Sequence, residues 1–377
     1  MRLIRCILCK KRRVAQAVLF LLVLILNLLA WGVRGFSDFY VANIFPIWLN
    51  TYGRITGVFS FSVGEWMIVL LLLLLCLAAV LWIPMLIFRK RKGGRVIRTL
   101  YMGAFQVILP VLLIMTLNCT ILYHATHLNG KGDYKTEELV RLYETIVQKA
   151  NILGDSMNAL ERDQNFDVKE TKKEAIQAMK GLSDRYPNLD GYYPTTKTML
   201  FSWFMSQQYI AGYYFPFSLE SNVNGMMYCT NYPFTICHEL AHIRGYIYED
   251  EANYLAYLAC TGSEDPFFQY SGYLQVLPYI IEDINEGIML GLIDKKELTL
   301  PTKIVYQDMA FLTERMWKVV DSVSPLSTEA VTKATDTALE LSLQLNGVDE
   351  GIQSYDNVVL LLLKKQREDT KQIEMEN

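Results

Sequence analysis

Two histidines and a glutamate in the middle of the chain have a spacing that chemistry can use. His238, Glu239 and His242 form H-E-x-x-H within the stretch PFTICHELAHIRGYIYEDEANYLAYLAC, residues 233–260. Residues four apart on a helix share a face, so the two imidazoles can hold one zinc ion while Glu239 points at the open position of the metal. That arrangement suits metal-assisted hydrolysis of a peptide bond. A third protein ligand has to come from downstream. Were the helix to continue through Gly245, Glu249 would lie roughly 10 Å further along the axis, too far to share an ion whose bonds are about 2 Å. Glycine accepts a left-handed cap, so a break at Gly245 lets a second helix, starting near Glu249, fold back and bring its carboxylate to the metal.

Glu249-Asp250-Glu251-Ala252-Asn253 reads E-x-x-A-N and resembles the second-helix signature E-x-x-A-[DN] of gluzincin metallopeptidases. The resemblance implies Glu249 as the third zinc ligand, Ala252 as the small residue that lets two helices approach, and Asn253 as a partner that orients a ligating histidine. The loop is shorter than in most gluzincins, which keeps Glu251 as the alternative ligand. The metzincin pattern H-E-x-x-H-x-x-G-x-x-H matches through Gly245 and then fails, because Tyr248 occupies the place of the third histidine. An acidic run such as Glu249-Asp250-Glu251 would also suit a solvated helix start through the helix dipole alone.

The 377-residue chain is 52% hydrophobic with a formal net charge of −3, a balance that gives no basis for nucleic-acid binding. The apolar excess concentrates in three N-terminal stretches, at about 14–33, 66–88 and 100–123, each near or above the roughly 20 residues of a spanning helix. Arg2, Arg5, Lys10, Lys11, Arg12 and Arg13 precede the first; Arg89, Lys90, Arg91, Lys92, Arg95 and Arg98 separate the second from the third; only Arg34 and Arg54 lie between the first two. By the positive-inside rule the N-terminus and the 89–98 loop are cytoplasmic, and three crossings place everything after about His124 outside. The expected organisation is a multi-pass anchor in the lipid bilayer over 1–124 and an extracytoplasmic domain over 125–377.

Seven cysteines do not make a disulfide framework. Cys229, Cys237 and Cys260 fall in the outer domain, and an odd number cannot all pair. A Cys229–Cys260 bridge is open in an oxidising compartment, and buried thiols are the simpler reading. Cys237 points ~100° away from His238 on a helix and is not read as a ligand.

The elements that position the motif are mostly helical. Residues 35–65, rich in aromatics, read as an amphipathic segment. Apolar spacing predicts helices over about 137–160 and 168–186, the second stopped by Pro187, and another over 198–209. GYYFPFSL, residues 212–219, reads as a short strand confined to a sheet edge by Pro216, placed where an extended substrate could add to it. Ser221 to Asn224 reads as a turn. A helix opens at Asp265-Pro266, three more helical patterns cover 296–322, 328–345 and 352–365, and Lys364 to Asn377 reads as a frayed end.

The apolar N-terminal stretches, YFPFSLESNVN, the 233–260 block, DPFFQYSGYL and SYDNVVLLLL together resemble an uncharacterised family of bacterial membrane proteins, domain of unknown function family 3810, over nearly the full chain. Its fold is expected to be mainly α with a small β-sheet: three transmembrane helices, then a zincin-like (gluzincin) α+β metallopeptidase domain. The family supplies no substrate. The expected function, from the motif, is a membrane-anchored zinc metallopeptidase with His238, His242 and Glu249 on Zn2+, Glu239 as general base, and a peptide or protein substrate in the cell envelope. A tyrosine is expected to stabilise the oxyanion, Tyr246 and Tyr248 lying in the right region, because His124 and His127 read as interfacial. Two other classes compete: a non-catalytic, zinc-stabilised binding or sensor module, and an envelope scaffold whose histidines are incidental. Glu239 weighs against the first, since a structural site has no use for a base.

Overall fold

The computed structural model describes residues 2–87, 99, 101, 103, 106–128, 133–157, 159–164, 166–346 and 357–376. It divides into two units, Met1–Thr126 with the turn Phe215–Glu220, and His127–Tyr214 with Ser221–Asn377.

The first unit is built on apolar helices α1 (Arg2–Gly32), α2 (Val63–Ile87) and α3 (Ile108–His124). Among the described residues, Lys11–Gly32 and Val63–Ile83 are the two segments long and apolar enough to cross a membrane. Among the described residues the third expected stretch, 100–123, gives only the shorter apolar helix α3; Leu100, Met102, Ala104 and Phe105 lie outside the described residues, as does the whole basic 89–98 loop. Polar residues also interrupt α3, whose backbone widens into a π-helical turn at Thr116–Thr120. There the buried Asn118 donates to the Pro216 carbonyl at 2.8 Å, and the Thr116 hydroxyl accepts from Asn27 at 3.0 Å, satisfying groups that burial would otherwise leave costly.

Residues 36–57 form successive helical turns that bury Tyr40, Val41, Phe45 and Leu49 while Phe39, Ile47, Trp48 and Ile55 stay exposed, an amphipathic segment. Glu220, fully buried, accepts from the Val63 and Gly64 N–H groups at 3.2 and 2.8 Å and so caps the start of α2.

The second unit is mainly helical around a small sheet. Its elements include α4 (Thr136–Ser156), α5 (Val168–Lys180), β1 (Lys197–Thr198), α6 (Ser202–Gln207), β2 (Gly212–Phe215), β3 (Glu220–Val223), α7 (Tyr232–Ile243), α8 (Glu249–Thr261), α9 (Pro266–Met289), α10 (Glu314–Val323), α11 (Thr328–Leu345) and α12 (Val358–Glu376). The H-E-x-x-H helix α7 is buried on almost every side, because α5, α8 and α9 pack around it. Phe234, Ile236, Cys237, Leu240, Ala241 and Ile243 supply the apolar faces that this environment demands. Cys229, Cys237 and Cys260 are buried free thiols.

The sheet order is β1-β3-β2, with β1 parallel to β3 and Lys197 and Thr198 opposite Asn222 and Val223. Ser221 and Asn222, expected in a turn, belong to the central strand β3, and Thr198, expected in a helix, belongs to β1. Hydrogen bonds rather than apolar packing hold these polar residues: Ser221 pairs with the Thr196 hydroxyl at 2.9 Å and Asn222 donates to the Tyr213 carbonyl at 3.1 Å. Pro216 falls just beyond β2, which forms one edge of the sheet. The charged C-terminal stretch, expected to fray, continues α12 through Glu376, where Arg367 donates to both Glu138 oxygens at 2.8 and 2.7 Å.

Candidate metal centre

The break after α7 has a definite local cause. Gly245 adopts φ 93°, its N–H donates to the His242 carbonyl at 3.0 Å, and the Tyr246 N–H reaches back to the Ala241 carbonyl at 3.2 Å. This pair of bonds is the Schellman turn that a left-handed residue permits. The turn also delivers the Tyr246 carbonyl to His242 Nδ1 at 2.8 Å. After it the chain reverses, and α8 packs along α7 with Ala252 fully buried.

Glu249 begins α8, and Asn253, one turn later, lies on the same face. The Glu249 carboxylate stands 3.0 Å from His238 Nε2 and 3.6 Å from His242 Nε2, and Asn253 Oδ1 lies 2.9 Å from His238 Nδ1. A carbonyl can only accept, so His242 carries its proton on Nδ1 toward Tyr246; the same holds for His238 facing Asn253 Oδ1. Both Nε2 atoms are thereby turned on Glu249. One ligand atom from each of the three residues falls within 4.8 Å of the others. The sequence-predicted ligands are thus brought together, and the donor set of two imidazole nitrogens and one carboxylate oxygen suits zinc.

Glu251, the alternative ligand, is directed elsewhere: it accepts from the Leu128 N–H and lies 3.8 Å from His127 Nε2. Tyr248 and Tyr246 are also accounted for. The Tyr248 ring packs on His127 with centroids 4.4 Å apart, and the Tyr246 ring meets Tyr186 edge-on at 6.5 Å. His127, expected at an interface, lies against α8, where its Nε2 is 3.0 Å from Asp250 Oδ1. His124 packs against Trp31 in the first unit.

Glu239 is buried, and its Oε2 has no hydrogen-bond partner. It lies against β2: a Cβ on Gly212 would come within 2.6 Å of Glu239 Cγ. Two residues along the strand, the buried Tyr214 ring stands 6.3 Å from the His242 ring. β2 therefore passes alongside both the acid and a histidine of the motif. Gly212 and Tyr214 belong to the strand expected beside the substrate, but their places against Glu239 and His242 were not foreseen, nor were the Tyr246 carbonyl on His242 and His127 on α8. For Gly212 a small residue at the start of an edge strand was a usable signal; for His127, more than a hundred residues upstream, there was none.

The charges are strongly coupled. Burial disfavours a charged His242, but the Glu249 carboxylate beside it outweighs burial and raises the pKa to about 9. Burial likewise opposes ionisation of Glu249, yet the two histidines hold its carboxyl well below the usual range. Burial lowers His238, helped by the neighbouring His242. Burial, only partly offset by His242, pushes Glu239 up to about 8, and the Glu249 carboxylate adds to the rise.

Residues 40–363 match the family model described as Protein of unknown function (DUF3810). The chain belongs to this family. No curated protein and no solved structure matches the chain, so the DUF3810 assignment identifies the lineage of the fold and leaves the chemistry to the site itself.

Proposed function

We propose that this DUF3810 protein is a membrane-anchored zinc metallopeptidase whose second unit is a zincin-like domain. The observation that carries the reading is the convergence of His238, His242 and Glu249, with both Nδ1 atoms already held, beside a buried Glu239 whose Oε2 is unpartnered. When bound, zinc would supply a Lewis acid that acidifies water and polarises a carbonyl. The chain's own residues do the rest. Asn253 Oδ1 and the Tyr246 carbonyl fix tautomer and ring orientation, so both Nε2 lone pairs face one point. Glu239 Oε2 takes the proton of the attacking water and hands it to the leaving amine nitrogen. The edge of β2 offers backbone N–H and C=O groups to an extended peptide, so that the scissile bond lies beside Glu239. Burial of α7 keeps bulk water away and strengthens these electrostatic interactions.

Lys11–Gly32 and Val63–Ile83 serve as membrane crossings, and in this reading the 100–123 stretch, of which the shorter helix α3 is the described part, completes an odd number. The basic residues before the first crossing and in the 89–98 loop then keep those segments cytoplasmic and put the second unit on the extracytoplasmic side. Substrates are accordingly peptides or proteins of the cell envelope.

The test is peptide-library cleavage by the full-length, zinc-loaded protein in detergent, followed by mass spectrometry, for the parent and Glu239→Gln. The reading expects cleavage by the parent and a loss of at least about a hundredfold in the variant with zinc retained. A zinc-bound parent that cuts nothing would leave a zinc-stabilised module instead, and cleavage untouched by the substitution would remove Glu239 from the mechanism.

A further inference from the structure

We infer that His127 is a positioning residue for the metal centre, clamping the first turn of α8 so that Glu249 keeps its reach to both histidines; the inference rests on the metal-site reading above. Glu249 is the first residue of its helix, and helix ends are where the backbone frays, because their N–H groups have no partner within the helix. A ligand placed there needs an external hold.

His127 provides that hold on both sides of the ligand. Its ring packs on Tyr248, the residue before Glu249, and its Nε2 lies 3.0 Å from Asp250 Oδ1, the residue after. The same Asp250 oxygen accepts from the Glu251 N–H at 2.9 Å, within the first turn of α8. The next residue in the chain, Leu128, donates its N–H to Glu251. Two consecutive residues, more than a hundred positions upstream, therefore engage the three residues that surround Glu249.

The burial pattern gives a reason for this arrangement. Asp250 and Glu251 are 1% and 3% exposed, and two adjacent buried carboxylates are costly without donors. Only Glu249 of the acidic run is directed at His238 and His242. His127 and the Leu128 N–H hold its two acidic neighbours away from that point. Without the clamp the first turn of α8 has no hold from upstream, and Glu249, at its first position, frays away from the two histidines.

The test measures zinc affinity of the full-length protein in detergent by competition with a chromophoric chelator, for the parent, His127→Ala, His127→Gln and Glu249→Ala, with thermal unfolding of each in chelator. Loss of an orienting partner typically weakens metal binding about 10–100-fold. His127→Ala should fall in that range while unfolding in chelator as cooperatively as the parent, and His127→Gln, which keeps a donor for Asp250, should recover most of the affinity. Parent-like affinity in His127→Ala while Glu249→Ala loses zinc would overturn the inference and leave the metal site standing. Weakened binding that His127→Gln does not recover would also overturn it, reducing His127 to general packing. Parent-like affinity in Glu249→Ala would overturn the metal-site reading and this inference with it.

Discussion

Gly212 lies so close to Glu239 that a side chain has no room: a Cβ on it would fall 2.6 Å from Glu239 Cγ and 2.7 Å from its Cδ. The first residue of the edge strand and the acid of H-E-x-x-H are thus packed as one piece. Gly212→Ala should push the Glu239 side chain off its position without touching His238, His242 or Glu249. Peptide cleavage should fall at least about tenfold, and overpacking should destabilise the fold by about 1–3 kcal/mol, while zinc content stays at the parent level. Parent-like cleavage in this variant would separate Glu239 from β2.

Asn253 faces His238 Nδ1 at 2.9 Å and also donates to the Tyr279 hydroxyl at 3.4 Å. Its amide fixes a ring that would otherwise rotate. Asn253→Ala should weaken zinc binding about 10–100-fold, whereas Asn253→Asp, which keeps the acceptor, should remain close to the parent. Chelator competition reads both.

Zinc should also hold the fold together. Binding to the folded chain alone raises stability by about 2.7 kcal/mol at free zinc 100 times the dissociation constant. Thermal unfolding of the full-length protein should therefore shift upward with zinc concentration, and His242→Ala should show no such shift. A parent insensitive to zinc and chelator would contradict this expectation.

Lys172 supplies a pH signature remote from the centre. Its Nζ donates to the Thr198 hydroxyl at 2.8 Å, and burial, with Lys197 nearby, lowers its pKa from 10.5 to about 8. Between those values the unfolded chain binds more protons at this site than the folded one, so stability rises with pH there. The penalty is complete below pH 8 and vanishes above 10.5. Lys172→Met should accordingly be favoured over the parent most at neutral pH, and this difference should shrink across that window in denaturant titrations.

How much of this was legible in the sequence depends on whether the signal was local. The H-E-x-x-H helix, the Gly245 break and the start of α8 at Glu249 follow from residues within one another's reach, and all three are present. Glu249 rather than Glu251 faces the histidines, as E-x-x-A-N implied and as helical spacing allows, since residues two apart point to opposite sides of a helix; that Leu128 and His127 engage Glu251 is a long-range fact that no local pattern encodes. Strand β3 was hidden for a related reason. Glu220-Ser221-Asn222 looks like turn chemistry, and only its partners Val63, Gly64, Thr196 and Tyr213 make it a buried strand. The third apolar stretch looked uniform by composition, yet α3 holds a π-helical turn at Thr116–Thr120, where Thr116 and Asn118 bond to Asn27 and to the Pro216 carbonyl.

The central claim is that His238, His242 and Glu249 form a zinc site. The most direct measurement is the metal content of the full-length protein purified in detergent, by plasma mass spectrometry, with His238→Ala prepared in parallel. The account predicts about one zinc per chain in the parent and its loss in a variant that remains folded. A folded parent that takes up no metal when zinc is supplied, or equal zinc in both proteins, would contradict it.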